Sequence, residues 1–140
     1  MTTTPAPATT SVAPSWPHWT FRIVASLAAL LLFIQSILAG QFIADKHDKL
    51  AFTLHQENAT VASVVVVLLI VAAILSRWPG RGPIGPLIAS IGLLVVTAGE
   101  AAAGYGKLTQ LHVPLGVLLI GIAVGMAIAA WRRPVHITSV

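Results

Sequence analysis

Four apolar blocks, each approaching twenty residues and separated by short charged or Gly/Pro-rich breaks, constrain this chain more than any other feature. They cover about residues 21–44, 59–76, 84–105 and 111–131. A helix needs about 20 apolar residues to cross a hydrocarbon core about 30 Å thick. In lipid the backbone must satisfy its own hydrogen bonds, so runs of this length are expected to be helices. Even the strand-like Val64–Val67 is read as helix for that reason. The breaks are DKHDK at 45–49, RWPGRGP at 77–83, GYGK at 104–107 and RRP at 132–134. The expected architecture is all-α: an up-down bundle of four transmembrane helices.

Composition closes off the alternatives. The chain has 140 residues, is 56% hydrophobic and only 9% charged, with a net charge of +4 and no cysteine. A soluble domain carries about 25% charged residues. Eight dispersed Lys and Arg cannot form a nucleic-acid surface, and the lack of Cys excludes disulfides and thiolate chemistry. No nucleotide loop or catalytic triad is present, which makes a conventional hydrolase or ATPase a poor reading. Residues 1–20 are rich in Thr, Pro and Ala with no charged side chain, and are expected to form a disordered cytoplasmic tail. They lack the basic start of a signal peptide, so the first block is expected to stay in the protein. The membrane domain is expected over 21–133, with a second cytoplasmic tail at 134–140.

The basic residues set an orientation. Arg22, Arg77, Arg81, Arg132 and Arg133 fall on one side of the four blocks. Lys46, Lys49 and Lys107 fall on the other, with Asp45, Asp48 and Glu57. Five against three places both termini in the cytoplasm by the positive-inside rule, in a multi-pass protein of the cell membrane. Trp16, Trp19, Trp78 and Trp131 gather at the cytoplasmic boundary, where interfacial aromatics anchor helices.

The two halves share an order of residues. Ala39-Gly40-Gln41, Lys49-Leu50 and Leu54-His55 in the first half correspond to Ala98-Gly99-Glu100, Lys107-Leu108 and Leu111-His112 in the second. Chance matches come easily in such sequence, and compositional coincidence is the competing explanation. If the repeat is real, the bundle is two like-oriented hairpins related by an axis along the membrane normal. His55 and His112 then stand at one depth on diagonal helices, about 11–14 Å apart axis to axis. That span suits two imidazoles reaching inward to one iron. Gly116 one turn beyond His112, and Ala59 and Ala62 beyond His55, would leave room for a planar ligand. Gly85, Gly92, Gly99 and Gly106 form a seven-residue seam that serves either such a ligand or plain helix packing.

Glu100 lies inside the third block, where an ionisable group is costly and usually functional. Gln35 and Gln41 are weaker signals, since amides often only tie helices together. A rival metal centre would draw on His47, His55, Glu57, Glu100, His112, Asp45 and Asp48, but no His-x-x-His or Glu-x-x-His spacing supports it. His18, His47 and His136 are expected to be solvated in tails and loop.

QSILAG (35–40), FTLH (52–55), TAGEAAAG (97–104) and LTQLHVPLGVLL (108–119) give the chain a pattern that resembles one four-helix half of the haem A synthase family. The chain also resembles small uncharacterised four-helix membrane proteins of high-GC bacteria, which imply no activity. The first resemblance implies that His55 and His112 are axial ligands of a haem; Glu100, Gly99 and Gly116 join them as candidate cofactor-binding residues on the strength of the buried charge and the small-residue faces. The chain departs from that family in having one half, short outer loops and no outer-loop cysteine pair, so haem A synthesis itself does not carry over. The resulting expectation is a bis-histidine b-type haem protein for electron transfer or haem handling, with a larger membrane (respiratory) complex as its candidate partner. The other expectation is a cofactor-free accessory or assembly subunit of a larger membrane complex.

Overall fold

The computed structural model describes residues 15–45 and 48–133. Four helices account for nearly all of them: α1 (Trp16–Ala44), α2 (Lys49–Arg77), α3 (Gly85–Tyr105) and α4 (Thr109–Arg132), with no strand among the described residues. All four are long and apolar enough to cross a membrane. Residues 1–14 and 134–140, expected as tails, lie outside the described residues, as do His47 and His136.

Two helices begin five or more residues before their apolar blocks. α1 starts at Trp16, with Pro17 in its first turn, where a missing N–H costs nothing. Residues 16–20 are therefore helix, not tail. α2 starts ten residues before residue 59, because Asp48 caps it by accepting from the Ala51 N–H at 2.9 Å. Residues 49–58, which end in the polar run His55, Gln56, Glu57 and Asn58, thereby become nearly three helical turns. At 29 residues each, α1 and α2 are about 43 Å long and exceed the hydrocarbon core, so their ends reach headgroup level.

The helices form a ring in chain order. α1 packs on α2 and α4, and α3 packs on the same two, while α1–α3 and α2–α4 are diagonal. Leu69, Leu93 and Leu119 fill the centre, ringed by Ala25, Ala28, Ala62, Ala73 and Ala123. With lipid as apolar as leucine, close packing of small residues replaces the hydrophobic effect as the cohesive force. The buried hydroxyls of Ser90 and Thr97 donate to the carbonyls of Pro86 and Leu93 one turn back, which leaves neither hydroxyl bare.

Side chains staple both ends. At the arginine end, the buried Arg22 donates through Nε to the Ala130 carbonyl at 3.1 Å and through Nη2 to the Arg133 carbonyl. Its guanidinium lies over Trp19 and Trp131, 4.8 and 5.3 Å from the ring centres. Trp131 Nε1 donates to Ser26 Oγ at 3.0 Å. His18, expected in a solvated tail, instead bridges α1 to the end of α2, with Nδ1 3.0 Å from Ser76 Oγ and Nε2 2.9 Å from the Gly80 carbonyl. The opposite, histidine end holds the candidate site.

Candidate functional site: a histidine pair on diagonal helices

His55 stands on the seventh residue of α2 and His112 on the fourth of α4. Although the two helices are diagonal, the imidazoles reach inward and meet with ring centres 6.3 Å apart and planes at 73°. Each of the four helices contributes at least one polar side chain to this end: Gln35 from α1, His55 and Asn58 from α2, Glu100 from α3 and His112 from α4.

Hydrogen bonds fix the proton positions. His112 Nδ1 lies 2.9 Å from the Glu100 carbonyl and 3.0 Å from its carboxylate Oε1. A carbonyl only accepts, so Nδ1 donates and carries the ring proton, which leaves the Nε2 lone pair available. Around His55 the assignment runs as a chain. Asn58 Nδ2 donates to the Leu31 carbonyl at 3.0 Å and to Gln35 Oε1 at 2.7 Å. Gln35 Oε1 is thus the acceptor, and its Nε2 donates to the His55 carbonyl at 3.0 Å and to His55 Nε2 at 3.1 Å. In the neutral ring Nδ1 then carries the hydrogen. That atom is buried and has no hydrogen-bond partner. An orphaned buried donor costs about 1–3 kcal/mol and calls for an explanation.

Glycine shapes the His112 side. A Cβ on Gly104 would lie 2.9 and 3.0 Å from His112 Cε1 and Nδ1, so the ring rests on the bare α3 backbone. A Cβ on Gly116 would lie 3.9 Å from Glu100 Oε1, ordinary contact, so Gly116 does face the site. Gly99 does not. It is exposed and has open space where a Cβ would stand, as do Gly85 and Gly92. The helix-three seam turns outward because the buried line of α3 runs instead through Pro86, Ser90, Leu93 and Thr97.

Of the residues of the rival metal centre, His55, Glu100 and His112 come together, and His47 lies outside the described residues. Among the described residues no group of three or more His, Cys, Asp and Glu side chains could hold a metal ion. Glu57 is exposed on α2, and Asp48 is engaged as its cap. In the sequence Gln35 is only a weak signal, and Gly104 and Asn58 carry no functional mark. Asn58 follows His55 by three residues, a helical neighbour position that could have drawn attention to it. Gln41, the formal counterpart of Glu100, is exposed and its side chain takes no part in the histidine network; Gln35 holds the first histidine instead.

A four-helix bundle with spans of membrane length and an inward histidine pair near one end is the class that fold and site define. Comparison with protein-family models, curated proteins and solved structures finds no match.

Proposed function

We propose that the chain is a bis-histidine b-type haem protein of the cell membrane, serving electron transfer or haem handling. The observation that carries the reading is the separation of the two rings. Two imidazoles bound to one metal ion through bonds of about 2.0–2.1 Å have ring centres roughly 6 Å apart, and His55 and His112 stand at 6.3 Å. Two side-chain ligands are too few for zinc, which takes four. They suit a haem, which brings four ring nitrogens of its own and supplies one-electron chemistry.

The second shell supports the same reading. A ligating histidine usually donates its other N–H to a carboxylate or backbone carbonyl, and Glu100 offers His112 both. Gln35 already bonds the His55 carbonyl with the same amide nitrogen, so His55 Nε2 can be released as a ligand at the loss of one hydrogen bond. With both His55 and His112 holding the iron, no coordination site would stay open, which would favour electron transfer over oxygen chemistry. Descent from two like hairpins, with a resemblance to one half of haem A synthase, belongs to this proposal. So does an orientation with the arginine end and both termini in the cytoplasm.

The test is a spectrum. Protein purified in mild detergent from haem-sufficient cells is expected to be red, with a Soret band and visible bands that sharpen on reduction. His55→Ala and His112→Ala each abolish the low-spin signal, and His47→Ala and His136→Ala leave it. Glu100→Gln keeps the haem but shifts its potential. Colourless protein that also fails to bind added hemin overturns the proposal. The second reading, a cofactor-free subunit of a larger membrane complex, then stands on the outward Gly85, Gly92 and Gly99 face, since small residues let membrane helices approach closely. Its mark is co-purification of that complex.

A further inference from the structure

The arginine end carries a feature that the histidine pair does not use. A cavity of about 170 Å³ opens there, with His18, Arg22, Ser76 and Arg133 among its polar walls and Phe21 and Pro86 among its apolar ones. Its volume is far above the about 10–15 Å³ that one water requires.

Its charge is not balanced. Arg22 is only 6% exposed, and a buried charge is normally paired. The four acidic side chains of the entire sequence, Asp45, Asp48, Glu57 and Glu100, all belong to the opposite end. Among the described residues, what Arg22 meets is neutral: two carbonyls at the end of α4 and two indole faces. The C-terminal dipole of α4 offers about half an elementary charge, and Arg133 adds a further positive charge beside it. Among the described residues, Arg22 and Arg133 less about half a charge from the dipole leave the cavity with an excess of about 1.5 positive charges. A guanidinium presents five donors in a planar fork that matches phosphate oxygens, and Arg22 commits two of them to these carbonyls.

We infer that this cavity binds the phosphate of an anionic phospholipid. Trp16, Trp19, Trp78 and Trp131 mark this end as headgroup level, where lipid phosphate is the abundant anion. The apolar walls at Phe21 and Pro86 suit the glycerol and first acyl carbons better than they suit a free ion. The inference does not depend on haem.

The experiment is native mass spectrometry of the full chain in neutral detergent, with phosphatidylglycerol and phosphatidylcholine of matched acyl chains at equal concentration. Wild type is expected to retain one phosphatidylglycerol in preference to phosphatidylcholine. Arg133→Gln weakens retention about fivefold, the weight of one basic residue near a lipid surface. Arg132→Gln, one residue outside the cavity lining, leaves it unchanged. Arg22→Gln keeps a polar side chain near the α4 carbonyls and removes the charge, and is expected to erase the preference. If that variant does not fold by circular dichroism, the contrast between Arg133 and Arg132 decides. Equal retention of both lipids overturns the inference, as does an equal effect of the Arg132 and Arg133 substitutions. Inorganic phosphate that displaces the lipid at equal concentration refutes the lipid as the ligand.

Discussion

Replacing Gly104 by alanine isolates one physical contact at the histidine end. The new Cβ would stand 2.9 Å from Cε1 and 3.0 Å from Nδ1 of His112. Carbon atoms at rest keep about 3.5–4.0 Å. The ring must retreat by about 0.5–1 Å to reach that spacing, and its freedom to do so is limited. Nδ1 is held at 2.9 and 3.0 Å by the carbonyl and carboxylate of Glu100, one helical turn before Gly104 on the same face. A retreat of that size stretches both bonds past the about 3.2 Å at which N–H···O bonds cease to be good. Each is worth about 0.5–1.5 kcal/mol net. Against this, alanine gains up to about 1 kcal/mol over glycine inside a helix. With the full propensity gain set against the two bonds, the balance is a destabilisation of up to about 2 kcal/mol, in the direction and range of overpacking.

Intrinsic propensity alone predicts the opposite sign, which makes the substitution decisive. Equilibrium unfolding in mixed micelles, followed by far-UV circular dichroism, measures it. In a His112→Ala background the obstructing ring is gone, so Gly104→Ala is expected to become neutral or stabilising. A double-mutant cycle should then return a coupling of about 1–3 kcal/mol. If Gly104→Ala has the same effect in both backgrounds, the packing of His112 on Gly104 is refuted.

Two further outcomes follow from the ends of the bundle. A reporter fused after Val140 is expected to read as cytoplasmic and one inserted between Lys46 and Lys49 as external; reversed readouts sink the orientation. Gln35→Leu removes the bonds to Asn58, the His55 carbonyl and His55 Nε2. Buried polar bonds in membrane proteins average about 0.6 kcal/mol each, so a loss of about 1–2 kcal/mol in the same unfolding assay is expected, and no loss refutes a structural role for the network.

The spans and breaks were legible because hydropathy in a membrane leaves the backbone no option but helix. The inward pairing of His55 and His112 was legible too, since four short-looped helices make the second and fourth diagonal. The helix starts were not. Asp48 extends α2 through a capping bond that no apolar count registers, and Pro17 starts α1 inside what reads as a tail. The outward turn of Gly99 was hidden because spacing by seven fixes a face but not which way it points. The local order of glutamines misled in the same way: Gln41 aligns with Glu100, yet Gln35, six residues earlier, is the one that reaches His55. Such choices are made by packing, which one sequence does not display.

The histidine end divides into two internally bonded hairpins. Gln35 and Asn58 tie α1 to α2 and fix His55, while Glu100 and Gly104 tie α3 to α4 and fix His112. Neither set of bonds crosses to the other hairpin. At this end the two imidazole rings face each other across the halves, with no hydrogen bond between them among the described residues. Each histidine is thus positioned by its own hairpin, and the space between the rings belongs to neither. The consequence is measurable. Substitutions that share no partner add to within about 0.3–0.5 kcal/mol. Gln35→Leu and Gly104→Ala should therefore be additive if the ring contact is a passive meeting of two rigid halves. A larger coupling would mean that His55 and His112 shift together, and that the pair is set by mutual contact instead of by the two hairpins that present it.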